Sequence, residues 1–108
     1  MLVIEEHIEN AEVLCISGRF AQENVVALET ALQRAENKGS PNIIFHLEKV
    51  SSVDCYGIGL LMMTFHRLKA KGIQLSLVNP KPEVMRILEF VELPKLIPVL
   101  DYVEQVPR

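Results

Sequence analysis

The residues of this chain with the most chemical potential stand together as Ser51-Ser52-Val53-Asp54-Cys55-Tyr56-Gly57-Ile58-Gly59. A carboxylate and a thiol are adjacent there, between an apolar run at residues 43–47 and an apolar-striped stretch of helical length at residues 60–71. Strand, loop and helix are the implied local structures. Such loops hold exposed functional groups on a rigid scaffold, and Gly57 and Gly59 let the backbone turn and pack closely. At a helix start Asp54 is a favoured N-cap, its carboxylate accepting a free first-turn N–H at a worth of ~1 kcal/mol. A thiolate or an added phosphate in the same place would face those donors and the positive end of the helix dipole.

The partners that Cys55 would need for catalysis are missing. A cysteine phosphatase requires an arginine a few residues after its nucleophile, and Tyr56-Gly57-Ile58-Gly59-Leu60-Leu61 has none. A dithiol redox enzyme requires a second cysteine nearby, whereas Cys15 is 40 positions away (55 − 15). For Cys–His hydrolysis, His66 would lie three turns up the same helix, about 15 Å off; His46, inside an apolar run, reads as a packed residue. Two glycines without a third and an acidic partner are no nucleotide fingerprint. No metal-ligand spacing occurs, and no cofactor is expected. A binding or switching module is favoured over an enzyme.

Composition narrows the partners. The chain has 108 residues, 49% hydrophobic and 23% charged, with a net charge of −3, as in an ordinary globular domain. The acidic balance gives no general attraction to nucleic acid or anionic membranes, and Arg67, Lys69 and Lys71 read as a solvated helix end. No run approaches the ~18 apolar residues of a membrane span. The first residues lack the pattern of a signal peptide, so a cytoplasmic location, free thiols at Cys15 and Cys55, and no membrane insertion are expected.

The elements that must position the central loop follow from periodicity. Residues 2–8 and 13–17 read as two strands joined by a turn at 9–12, with Cys15 a small core hydrophobe. Val25, Leu28, Leu32 and Ala35 mark a helix over residues 22–38 that Gly39-Ser40-Pro41 ends. Residues 42–47 form a central strand. Ile58, Leu61, Met62, Phe65 and Leu68 make the core stripe of a second helix ending at Gly72, and Leu60 and Met63 lie off that stripe near Asp54. They are either part of a broad buried face or a contact surface.

Residues 73–78 are a fourth strand, and Pro82 opens a third helix striped by Val84, Ile87, Leu88 and Val91, which Leu93-Pro94 ends. Residues 96–100 form a last strand confined to an edge by Pro98. Residues 101–108 are a tail or a last helical turn. The order ββαβαβαβ predicts one α/β domain over residues 1–108, a mixed sheet of about five strands with helices packed against it.

Taken together, Asp54, Gly57, Ile58 and Gly59 after an apolar strand, then an apolar helix, Gly72, a strand, Asn79-Pro80 and a third helix, resemble the STAS domain, the family of bacterial anti-sigma factor antagonists. The resemblance covers nearly the whole chain, including Gly18. It implies a protein that binds an anti-sigma factor acting also as a serine kinase, through Asp54, Cys55, Tyr56, Gly57, Ile58, Gly59, Leu60 and Met63. In that family the residue after the Asp is the phosphoacceptor serine. A phosphate there adds about two negative charges to an interface and disrupts it.

Here Cys55 holds the acceptor position and Tyr56 the next, so the usual switch is absent or replaced, with Ser51 and Ser52 the remaining nearby hydroxyls. Tyr56 is a contact aromatic or a side chain packed over the helix start. Two other roles fit the sequence: a STAS subunit docking on the ATPase of a membrane transport complex, and a thiol redox sensor at Cys55. A homodimer is a further possibility.

Overall fold

Alternation along each strand sets the layering. In β2 (Ala11–Phe20), Leu14 and Ile16 face one side of the sheet while Val13 and Cys15 face the other. The computed structural model describes residues 2–106. Around β2 are β1 (Leu2–Ile8), α1 (Val25–Asn37), β3 (Asn42–Val53), α2 (Cys55–Ala70), β4 (Gln74–Val78), α3 (Pro82–Phe90) and β5 (Val99–Leu100). This is the expected order ββαβαβαβ.

The strands form one mixed sheet in the order β1-β2-β3-β4-β5. β1 pairs antiparallel with β2, and every other neighbouring pair is parallel. Each parallel step is a helical crossover in the same direction across the sheet, and crossovers share one hand. All three helices therefore pack on one face, where Leu28, Leu32, Leu61, Leu68 and Leu88 meet Leu14, Phe45, Leu75 and Leu77. The other face is covered in part by a single 3-10 turn (Val103–Gln105) and Val106, which pack on Ala11, Val13, Ile44 and Val78. That turn fits the expectation of a last helical turn; Pro107 and Arg108, the end of the expected tail, lie outside the described residues.

Several boundaries differ from expectation for local reasons. The hairpin closes over Glu9-Asn10 alone, Asn10 taking φ 64°, so β2 starts at Ala11 rather than Val13. β3 runs on past Leu47 to Val53. Its partners step from Cys15↔His46 to Ser17↔Lys49, and again between Gly18 and Arg19. Glu48 and Lys49, two exposed charges that mimic a strand end, are thus a bulge within a strand.

α3 ends at Phe90, ahead of Leu93-Pro94, with Glu92 in the left-handed region at φ 61°. Of its expected stripe, Val84 and Leu88 are buried, but Ile87 and Val91 are 38% and 43% exposed. β5 is two residues at the sheet edge, because Pro98 has no N–H to pair and contributes only its carbonyl, which accepts from the Leu77 N–H at 2.9 Å.

Candidate functional site

The loop between β3 and α2 is one residue long. Asp54 alone lies between Val53, the end of β3, and Cys55, the first residue of α2. Its backbone is extended, with φ −102° and ψ −175°, and Oδ1 accepts from the Gly57 N–H at 2.9 Å. The Asp54 carbonyl accepts from Ile58 N at 3.0 Å, and the Asp54 N–H donates to the Phe20 carbonyl at 3.3 Å. Asp54 is therefore the expected N-cap, fastened also to the end of β2.

Gly57 explains the closeness of that join. A Cβ there would overlap the Phe20 carbonyl oxygen and lie 2.6 Å from Phe20 Cδ1 and 3.0 Å from Val53 Cγ1. The first turn of α2 is seated on the ends of β2 and β3 because this residue has no side chain. Gly59, one turn position away from that contact, has open space around its would-be Cβ.

Cys55 and Tyr56 project outward from this anchored turn, Tyr56 at 56% exposure. Two turns on, Met62 and Met63 are exposed at 38% and 69%. The spacings 55–62 and 56–63 place these four side chains on one helical face with Gly59 between them. The other face of α2 buries Gly57, Leu60, Leu61, Thr64 and Leu68.

The helix is thus turned by somewhat less than one residue from the expected stripe. Leu60, expected beside Met63 off the stripe, is in the core at 8% exposure; Met62, expected in the core, is at the surface. Leu60 packs well because α2 crosses the sheet with its small residues, Gly57 and Thr64, on the same side. Met62 was the residue that periodicity missed, and its heptad spacing from Cys55 is the signal that finds it. Ile58 is half-buried against the core.

Other candidates are placed apart. Ser51 and Ser52 are strand residues of β3, Ser52 in register with Arg19, and not loop residues as expected. His46 belongs to the helix-free face of the sheet, in register with Cys15, on the opposite side from α2 and Cys55. His66 is exposed on α2 beside the Phe65 ring. Cys15 is half-buried on the helix-free face rather than in the main core. Burial and then the charge of Glu6 push its thiol up, against a smaller opposite pull from Lys49.

At the far end of the sheet, Glu12 is buried with its carboxylate held by His7, Ser40 and Lys38. Burial would raise its pKa. Hydrogen bonds from Ser40 and His7 and the charges of His7 and Lys38 more than offset that, holding it below the ordinary carboxylate range. Among the described residues, no helix is long and apolar enough to cross a membrane.

Comparison with known proteins fits this architecture. The model of the STAS domain matches residues 3–106. A Thermotoga maritima protein provisionally named an anti-sigma factor antagonist is 26% identical over 69 residues, which are 64% of this chain and 61% of that relative. This chain therefore aligns with about three-fifths of the relative's length.

A crystal structure under the same provisional name, also from Thermotoga maritima, superimposes with a TM-score of 0.86 at 20% identity, covering 95% of this chain and 89% of that one. The anti-sigma factor antagonist SpoIIAA of Bacillus, in its unphosphorylated form, gives 0.78 at 24% identity over 96% and 90% of the two chains. At such identities the superpositions speak for the fold. The family model spans nearly all of the chain, and with the hairpin-led sheet, its one-sided helices and the capped Asp54 in place, this chain belongs to the STAS domain family.

Proposed function

We propose that this chain is a non-enzymatic interaction module of the cytoplasm that binds an anti-sigma factor of the serine-kinase type. The contact surface is the Asp54–Gly59 turn and the outer face of α2. The observation that carries the reading is the exposed set Cys55, Tyr56, Met62 and Met63, which starts at the capped Asp54 on a helix whose other side is core. A contiguous apolar set on the solvent side of such a helix suits a protein partner, and Tyr and Met are favoured at interface centres. The relatives' names, anti-sigma factor antagonists, support the same partner class.

Binding in this chain is free of the serine phosphoswitch. Cys55 offers a thiol where a hydroxyl would be needed, and Ser51 and Ser52 are strand residues of β3 that lie before the Asp54 turn, Ser52 in register with Arg19. The experiment is to incubate the chain with an anti-sigma factor of the serine-kinase type from the same genome and ATP, then to measure complex formation and intact mass. A complex with no added phosphate is expected. Stoichiometric phosphate on Cys55, Tyr56, Ser51 or Ser52 would overturn the absence of the switch. Failure to bind, or selective capture of a transport ATPase instead, would overturn the partner.

A further inference from the structure

The one-sided placement of the helices leaves a hollow that the proposed contact surface does not use. On the helix-free face, the C-terminal turn packs with Ala11, Val13, Ile44 and Val78 and covers only part of the sheet. The result is a partly enclosed cavity of about 610 Å³, within the range of small-molecule sites. Its floor is aliphatic, including Ile8, Val13, Ile44 and Val106, and no Phe, Tyr or Trp lines it. The bulge in β3 turns Glu48 and Lys49 toward it, Glu6 enters from β1, and Glu104 from the C-terminal turn.

The charges are unbalanced. Glu6, Glu48 and Glu104 have no cation within ion-pair distance among the described residues, whereas Glu5, Glu12, Glu23, Glu29, Glu36 and Glu92 each have one. Among the described residues, Lys49 is the only Lys or Arg in the lining. A partly enclosed site rimmed by this excess disfavours phosphates and carboxylates and concentrates cations.

We propose that this cavity binds an aliphatic amine, its hydrocarbon on the Val13 and Ile44 floor and its ammonium groups at the rim carboxylates. The site is separate from the Asp54 turn and does not depend on the partner proposed there. Burial of methylenes and neutralisation of unpaired carboxylates act together in such a ligand, and neither a hydrocarbon acid nor an inorganic cation combines them.

Isothermal titration of the full chain with spermidine tests this, with hexanoate as the control of opposite charge. Spermidine is expected to bind with a Kd of about 1 mM or tighter. Glu6→Gln combined with Glu48→Gln is expected to weaken it at least about tenfold, while Glu83→Gln with Glu89→Gln on α3 leaves it unchanged. In a Cys55→Ser chain, which keeps every carboxylate, spermidine is expected to slow alkylation of Cys15, which lines the cavity. No binding at that level, equal weakening by both double variants, equal binding of hexanoate, or no protection of Cys15 would each overturn the proposal.

Discussion

Gly57 and Gly59, two residues apart in the first turns of α2, respond oppositely to the same added methyl group. At Gly57 the new Cβ meets the Phe20 carbonyl, which is fixed at the end of β2 and already accepts from Asp54 N at 3.3 Å. The Phe20 ring, 1% exposed and 6.3 Å from the Phe45 ring centre, has no room to turn away. The helix start must lift. Overpacking of this kind costs about 1–3 kcal/mol, and the better helix propensity of alanine returns only about 1 kcal/mol.

Because the obstruction is backbone rather than a mobile side chain, the upper part of that range applies, and Gly57→Ala should lose about 2 kcal/mol. At Gly59 nothing lies within 4 Å of the built Cβ, so Gly59→Ala should gain about 0.5–1 kcal/mol. Thermal unfolding followed by circular dichroism should separate the two variants by on the order of 10 °C. The added methyl at Gly59 also stands among Cys55, Tyr56, Met62 and Met63, so this more stable variant should bind its partner less well. A Gly57→Ala chain within about 0.5 kcal/mol of wild type, or a destabilised Gly59→Ala chain, would refute the seating of α2 on Phe20.

Asp54→Ala should cost about 1 kcal/mol through loss of the cap to Gly57 N, whereas Asp54→Asn, another good N-cap, should keep most of that stability; urea titration of both distinguishes cap from charge. Glu12 is held below its ordinary range, so its stabilisation is complete above the unfolded carboxylate pKa and is lost as pH falls through the folded value; stability should decline below about pH 5. Glu12→Gln should flatten that acid slope while lowering stability at neutral pH, measured by urea unfolding across pH. Alkylation followed by mass spectrometry at neutral pH should modify exposed Cys55 well before Cys15, whose thiol is half-buried and pushed up by burial and Glu6.

The strand and helix order is legible because the strands carry apolar runs or alternation bounded by turn residues and each helix a recurring stripe. The phase of α2 is not. Leu60, Leu61, Met62 and Met63 are four apolar residues in succession, so periodicity constrains the helix face weakly, and the choice was made by a contact distant in sequence, Gly57 against Phe20. Sequence pattern ends β3 at Leu47, because the bulged pair of charges Glu48 and Lys49 has the same local signature as a strand end. The Asp54 cap was readable, since it depends on residues 54–58 alone. The cavity was not, because it arises from the one-handed crossovers and from a C-terminal turn packing on β2 and β3.

The proposed interface is the Asp54 turn and the outer face of α2, with the thiol of Cys55 where the STAS resemblance implies a phosphoacceptor serine. Isothermal titration of a serine-kinase-type anti-sigma factor from the same genome with wild-type chain and with Cys55→Asp tests it most directly. A carboxylate in the first turn of α2 favours the helix dipole and leaves the fold intact, yet it places charge in the contact as a phosphate would. Tight binding by wild type and at least a tenfold loss in Cys55→Asp, about 1.4 kcal/mol, is the expected result. Equal affinity of the two chains would rule out this interface.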